Sequence, residues 1–426
     1  MPLSKVERKT GFTRIKPMAA HIPFVNTPRD CKILSKYYKD SHIIRVSLES
    51  ISKIRTQLPS NMPLWIDPAI DGYHHRLITK WPEDRREWNK TLSQLWKSLE
   101  DVFNKFDGYE ILSDKKHWIK GELPRLETFV NQVLDKCYSF NPTWISIPQL
   151  PLVNDGGRNK INEWLAQATA KWKKQNQRGI KLILPVIFTS TIQLTKKQMR
   201  DNKFESIKNC YEIANADGIW MADTNLSDQN RNDQYPNRYA KLIEFHDNIK
   251  ESLPKAIKIT GPYWGLNLVL WARGLCDYPA VSLGSPYVYY ISCGTARPGS
   301  IRLAIPPIKR WVVASKELHT WLEKVLTQIG PEDSARKELS DLVQNFNVYR
   351  QRDHAIDQVA KFYKKWFDEI EPIPDKGRAL ALFQNLSSAY VLGKQLPDLP
   401  TTALPYCSGK MLEAGKAAEQ LMLKCL

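Results

Sequence analysis

Apolar residues along this chain recur at two spacings that take turns. Short, nearly continuous apolar runs bounded by Gly, Pro, Asn or Asp read as strands covered on both faces. Between them lie longer stretches whose apolar positions fall three or four residues apart, as in helices with one buried side. Strands are predicted at His42 to Leu48, Pro63 to Ile66, Trp144 to Gln149, Ile180 to Phe188, Gly218 to Ala222, Ala256 to Thr260 and Tyr278 to Leu283. Further strand is predicted at Tyr287 to Ser292 and Ile301 to Ile305. Helices are predicted at Glu83 to Phe106, Leu126 to Tyr138, Asn159 to Gln175, Lys196 to Asn215, Asn237 to Leu253 and Ser315 to Ile329. In the first of these Trp88, Leu92, Leu95, Trp96, Leu99, Val102, Phe103 and Phe106 make one apolar stripe, read as core.

Regular alternation of this kind, about eight strand and helix pairs between residues 40 and 330, points to an α/β fold of the (β/α)8 TIM-barrel type. An open doubly wound sheet is the alternative. Past Pro331 the strand signal stops, and Leu339 to Phe367 and Arg378 to Leu392 read as helices punctuated by Pro372, Pro374, Pro397, Pro400 and Pro405. The expected division is a basic arm over 1–28, a barrel over 29–330 and a helical appendage over 331–426 that packs on the barrel or contacts a protein partner.

The stretch from Ala256 to Gly284 organises this reading. A buried strand runs into Gly261-Pro262, a short apolar helix closes at Gly274, and a second strand follows, a right-handed βαβ unit. Reactive groups of such folds lie where strands give way to the following loops. Gly261, Tyr263 and the residues from Asp277 to Ser285 are accordingly expected near one mouth.

Charge then narrows the picture. The formal net charge is +17, and residues 331–426 hold 13 Lys/Arg against 13 Asp/Glu, so the whole excess belongs to residues 1–330. An excess of this size suits a polyanion partner, and nucleic acid is the expected one; a basic soluble protein without such a partner is the plainer reading. Lys5, Arg8, Lys9, Arg14 and Lys16 face a single acid, Glu7, in the first 28 residues. They are candidate phosphate contacts, as are Arg273 and Arg297. Cys31, Cys137, Cys210, Cys276, Cys293, Cys407 and Cys425 form no CxxC pair and no Cys/His cluster at metal spacing. A reduced, cytoplasmic protein without a zinc site is expected. No signal-peptide pattern and no run of roughly 18 apolar residues is present, so membrane insertion is not expected.

Several acids and amides stand at predicted strand ends: Asp67, Gln149, Asp223 and, after the organising helix, Asp277. A barrel gathers strand ends around one rim, and two facing carboxylates there suit displacement at a sugar carbon, one as nucleophile and one as acid or base. Each single Asp is equally readable as a turn or capping residue. Asp71 lies in the loop after Asp67, followed by Tyr73, His74 and His75; adjacent histidines diverge, and no metal is expected. Tyr263 and Trp264 offer faces on which a flat base or a sugar could stack, or else pack on the rim. No GxSxG elbow, Walker sequence or GxGxxG is present, and no cofactor is expected.

The run of strand, Gly, turn and NLVLWARGLCDYP is similar to the late barrel region of tRNA-guanine transglycosylases. In that family a helix closing with Ala-Arg-Gly leads to the strand that bears a nucleophilic Asp. The resemblance implies exchange of a guanine for a deazapurine in tRNA or, in relatives, DNA. It implies Asp277 as nucleophile, Asp67 as acid or base, and Gln149 and Gly261 near the base pocket; Asp71, Asp223, Tyr263 and Trp264 are further candidate substrate contacts by their places in the chain. Asp67 is followed by Pro-Ala where the family has Ser-Gly, and the family's Cys-rich zinc motif is absent. A non-catalytic nucleic-acid-binding or assembly subunit therefore stands as the alternative, and a glycoside-type hydrolase as a further one.

Overall fold

The computed structural model describes residues 21–25, 28–38, 42–48, 51, 54–58, 61–70, 116–152, 156–176, 179–188, 194, 197–223, 236–263, 265–282, 301–404, 414 and 416–425. Its centre is a closed parallel barrel of eight strands in sequence order. These are β1 (Ile22–Val25), β2 (Ile44–Ser47), β3 (Leu64–Asp67), β4 (Trp144–Ser146), β5 (Lys181–Phe188), β6 (Gly218–Asp223), β7 (Ile257–Thr260) and β8 (Tyr278–Ser282). Closure is made by β8 on β1, with Ile22 opposite Ala280 and Phe24 opposite Ser282. That pairing excludes the open sheet. Helices α1 (Pro28–Tyr37), α2 (Lys116–Tyr138), α3 (Gly156–Asn176), α4 (Lys197–Ala214), α5 (Pro236–Ser252) and α6 (Leu266–Ala272) lie between the strands.

Both faces of the strands are apolar for different reasons. Outward residues such as Ile44, Val46, Ile66, Ile145, Leu184 and Met221 meet the helix layer in the main core. Inward residues fill the barrel itself: Phe24, Trp65, Trp144, Ile183, Ile187, Trp220 and Ile259 form a second cluster. Three indoles in so narrow a space need their N–H groups satisfied. Trp65 Nε1 donates to Ser146 Oγ at 2.9 Å, and Trp220 Nε1 donates to the Gly261 carbonyl at 2.8 Å.

The boundaries differ from those predicted. β1 lies inside the segment read as a basic arm, so the barrel begins by Ile22; four apolar residues, Ile22 to Val25, are too short a run to carry a period. The barrel also ends sooner, at Ser282. Strand β9 (Arg302–Ile305) pairs antiparallel with β10 (Arg310–Val313) in a separate two-stranded sheet. The helix expected at 83–106 and the strand expected at 287–292 lie outside the described residues.

Helices α7 (Lys316–Gln328), α8 (Ser334–Gln344), α9 (Phe346–Tyr349), α10 (Arg352–Ile370), α11 (Asp375–Gln395) and α12 (Lys416–Met422) complete the chain. One of them belongs to the barrel as much as to the appendage. Helix α10 packs on α1, and its Phe367 meets Trp271 at the end of α6, with ring centroids 5.7 Å apart. It fills the sector between the last and first barrel helices, where a (β/α)8 fold has its eighth helix. Its other side carries the hairpin: Gln358 Nε2 donates to the Ala304 carbonyl while its Oε1 accepts from Ala304 N–H. Among the described residues no helix is long and apolar enough to cross a membrane.

Candidate active site at the C-terminal mouth

Strand direction decides which residues share a rim. In a parallel barrel every strand ends at the same mouth, and chemistry collects there. Asp67 is the last residue of β3 and 2% exposed. Its partner comes from the neighbouring strand. Arg45 of β2 is 1% exposed, lies in register with Phe24 and Trp65, and therefore points along the barrel axis with them. Its guanidinium carbon stands 4.9 Å from the Phe24 ring and 5.7 Å from the Trp220 ring. Arg45 Nε donates to Asp67 Oδ2 at 3.1 Å, and Nη2 donates to the same oxygen. Asp67 Oδ1 accepts from Ala69 N–H at 3.1 Å. Ala69 has φ 51°, a left-handed turn that brings the chain back over the carboxylate.

Small and hydroxyl-bearing residues stand on the strands at the same end of the barrel. Ser47 is in register with Asp67, Ser282 with Phe24, and Ser146 accepts from Trp65 on the interior side. Ala222 lies in the interior cluster, and Gly261 follows the end of β7. The sequence reading missed Arg45, Ser47, Ser146 and Ser282. An arginine inside the apolar run Ile43-Ile44-Arg45-Val46 was the available signal, because a guanidinium in a covered strand requires a buried acid.

Asp277 does not join this site. It precedes β8, so it stands at the opposite, N-terminal rim, and it is exposed. Its N–H donates to the Lys258 carbonyl at 2.8 Å, and its Oδ2 accepts from Lys258 N–H at 2.7 Å. Asp217, just before β6, does the same to Leu182, at 2.8 Å for each bond. Both aspartates extend a strand ladder by one rung, the carboxylate standing in for a missing carbonyl. The expectation of two carboxylates facing one another across the mouth is corrected accordingly.

Other expected site residues are bound up in the scaffold. Asp223 ends β6 but is in register with Phe188, whose ring packs edge-on to Phe245 of α5 at 5.1 Å. It shares the outward face, away from Asp67. Gln149 Nε2 donates to the Asn162 carbonyl at 3.0 Å, while the Asn162 side chain bonds both N–H and carbonyl of Leu150. Gln149 thus ties the loop after β4 to α3. Tyr263 is 0% exposed, and its hydroxyl donates to the Met221 carbonyl at 2.9 Å, so it is core and not a platform for a base. Gly261 is at the mouth, with φ +93° and a cis bond to Pro262; a Cβ there would lie 2.8 Å from Tyr263 N. Arg273 Nη1 donates to the Lys424 carbonyl at 3.2 Å, which fastens α6 to the C-terminal segment. Asp71, Trp264, Lys5, Arg8, Lys9, Arg14, Lys16, Arg297, His74 and His75 lie outside the described residues.

Among the described residues no group of three or more His, Cys, Asp or Glu could hold a metal, and the cysteines Cys31, Cys137, Cys210, Cys276 and Cys425 are free and buried. Burial raises the Cys210 thiol to about 12, which makes it inert. Fold and site together define a (β/α)8-barrel protein with a buried Arg–Asp pair at its C-terminal mouth. Compared with known families and curated proteins, the chain matches no family model and no curated protein.

Proposed function

We propose that the chain is a nucleic-acid-directed barrel enzyme of the transglycosylase type, with Asp67 addressing the reacting sugar carbon. One observation carries the reading: the inward-facing Asp67, held by Arg45 at the C-terminal end of β3. A base exchange asks little of such a site beyond a carboxylate. Asp67 bonds to the sugar carbon as the departing purine takes the electron pair of the glycosidic bond and a proton from water; the incoming purine then displaces the carboxylate and gives its ring N–H proton back to solvent. Arg45 keeps the carboxylate aimed along the axis, and the hydroxyls of Ser47, Ser146 and Ser282 suit the polar edge of a sugar. The net charge of +17 favours a polyanionic substrate. Asp277 has no part in this scheme.

The test is to incubate the protein with DNA and with RNA in the presence of labelled guanine or deazaguanine. Label is expected to enter one of the two polymers. Failure of label to enter either sinks the proposal. A second reading, a non-catalytic nucleic-acid-binding subunit, is favoured by Asp277 standing at the rim opposite Asp67. Tight binding with a steep salt dependence but no exchange supports that reading.

A further inference from the structure

Away from the barrel mouth, a groove of about 1000 Å³ opens among α8, α10 and α11 above the 3-10 turn Pro306–Ile308. Lys309 stands on its floor and is 9% exposed. Its backbone is left-handed, φ 49° and ψ 48°, a conformation that a side chain other than Gly or Asn seldom holds. The turn drives the side chain inward beneath α10. There the amine lies 5.7 Å from the Phe362 ring and 5.3 Å from the Trp366 ring. Among the described residues Nζ makes no hydrogen bond, and the carboxylate oxygen Glu369 Oε2 is 3.9 Å away. A lysine has three donors, and with none of them bonded within the described residues this amine is open to the groove. Burial pulls it below the ordinary lysine range, against the opposing pull of Glu369 and Glu338.

The other charges of the groove are unevenly engaged. Asp333 accepts from Ala335 N–H, Glu338 is paired with Lys365, Asp341 accepts from Tyr349 and Asn345, and Glu369 accepts from Asn385. Lys337 and Lys361 line the same groove, and neither makes an ion pair among the described residues. The acids are occupied within the protein while two cations are left facing the opening.

We propose that Lys309 is a nucleophilic amine that binds small anionic carbonyl compounds, an aldehyde phosphate or an oxo acid, as an imine. Glu369 takes a proton from the ammonium. The freed lone pair attacks the carbonyl carbon, and the carbonyl electrons move to oxygen. A proton passes from the attacking nitrogen to that oxygen, and the hydroxyl so formed leaves with the proton returned by Glu369, so that ammonium and carbonyl yield a protonated imine and one water. Lys337 and Lys361 hold the anionic group. The proposal is independent of the chemistry assigned to the barrel mouth.

Pyridoxal 5′-phosphate is the probe, an aldehyde carrying a phosphate. The full chain is treated with it, reduced with borohydride and digested, and each lysine is quantified by mass spectrometry across a pH series. Lys309 is expected to be modified before the exposed Lys316 and Lys324, since the neutral amine grows roughly tenfold for every unit that burial lowers its pKa. Its modification is also expected to reach half-maximum at lower pH than theirs. Lys337→Gln combined with Lys361→Gln is expected to slow modification by the phosphate probe several-fold and to leave reductive alkylation by propanal unchanged. Protection of Lys309, or labelling no faster than Lys316, overturns the proposal and leaves the lysine as an anchor of the turn. Equal slowing of both probes overturns the anionic specificity.

Discussion

A buried arginine is the residue on which the interior of this barrel turns. Removing the guanidinium from water is costly, and only a close acid and well-placed acceptors offset it. Asp67 meets that need from the adjacent strand, and the two aromatic faces of Phe24 and Trp220 cover the rest. Arg45→Met is expected to leave Asp67 without its cation and to lower stability by about 3–5 kcal/mol. Adding Asp67→Asn to that variant is expected to restore much of the loss. Urea unfolding of both single variants and of the double variant checks this, and additive losses would show that the pair is not coupled. Sequence marked Asp67 as a residue at a strand end, but not its partner. Arg45 sits twenty-two positions earlier, and only register brings the two together. The aromatic Tyr263 misled for the opposite reason. A loop rich in Gly, Pro, Tyr and Trp reads the same whether its rings face solvent or core, and here the hydroxyl reaches a strand carbonyl.

Elements were legible where apolar period and length agreed. The strands from Trp144 onward and the helices between them lie within a few residues of their predicted limits, because each repeats its pattern long enough to outweigh local propensity. Two short pieces failed: four residues of β1 were absorbed into a basic arm, and the strand at 302–305 was counted into the barrel although among the described residues it pairs with β10 alone. The placing of Asp277 was an error of direction and not of residue type. A residue that begins a parallel strand belongs to the rim opposite one that ends a strand, and Asp277 comes immediately before Tyr278. Its observed work is structural. Asp277→Ala is expected to leave Lys258 N–H without an acceptor and to cost about 1–3 kcal/mol, with Asp217→Ala acting alike on Leu182. Thermal unfolding measures both. Loss of activity without loss of stability would contradict the structural role of Asp277.

At the scale of the whole molecule the helical region and the barrel share one core. Val359, Phe362, Tyr363, Trp366 and Phe367 of α10 belong to the same cluster as the outward faces of the strands. Helix α10 is amphipathic in sequence, but nothing there tells that it closes a ring begun three hundred residues earlier. Its contact with the N-terminal rim places His21 face to face with Phe367, at 4.0 Å, beside His42 and Tyr38. Burial, with the charges of His42 and Lys364, holds His21 well below the ordinary histidine range. His246 of α5 is lowered by burial from 6.5 to about 4. Both are neutral when folded and take up protons on unfolding, so their contribution is complete above pH 6.5 and is lost as pH falls, for His246 down to about 4. His246 is expected to give a slope of up to about 1.4 kcal/mol per pH unit in that window, and His21 to add to the loss in the same direction. His21→Phe, which keeps the stacking on Phe367, is expected to shallow the slope; an unchanged slope would remove His21 from the account. The net charge of +17, by contrast, was fully legible, and it supports the proposed polyanionic partner without identifying one.

The most direct trial of the proposed active site compares two conservative substitutions in one assay. Entry of labelled guanine or deazaguanine into nucleic acid is measured for the wild type, for Asp67→Asn and for Asp277→Asn. Loss of exchange by at least about a hundredfold in Asp67→Asn, with near wild-type rates in Asp277→Asn, is the expected result. Retained exchange in Asp67→Asn, or its loss only in Asp277→Asn, would contradict a catalytic centre at the C-terminal mouth.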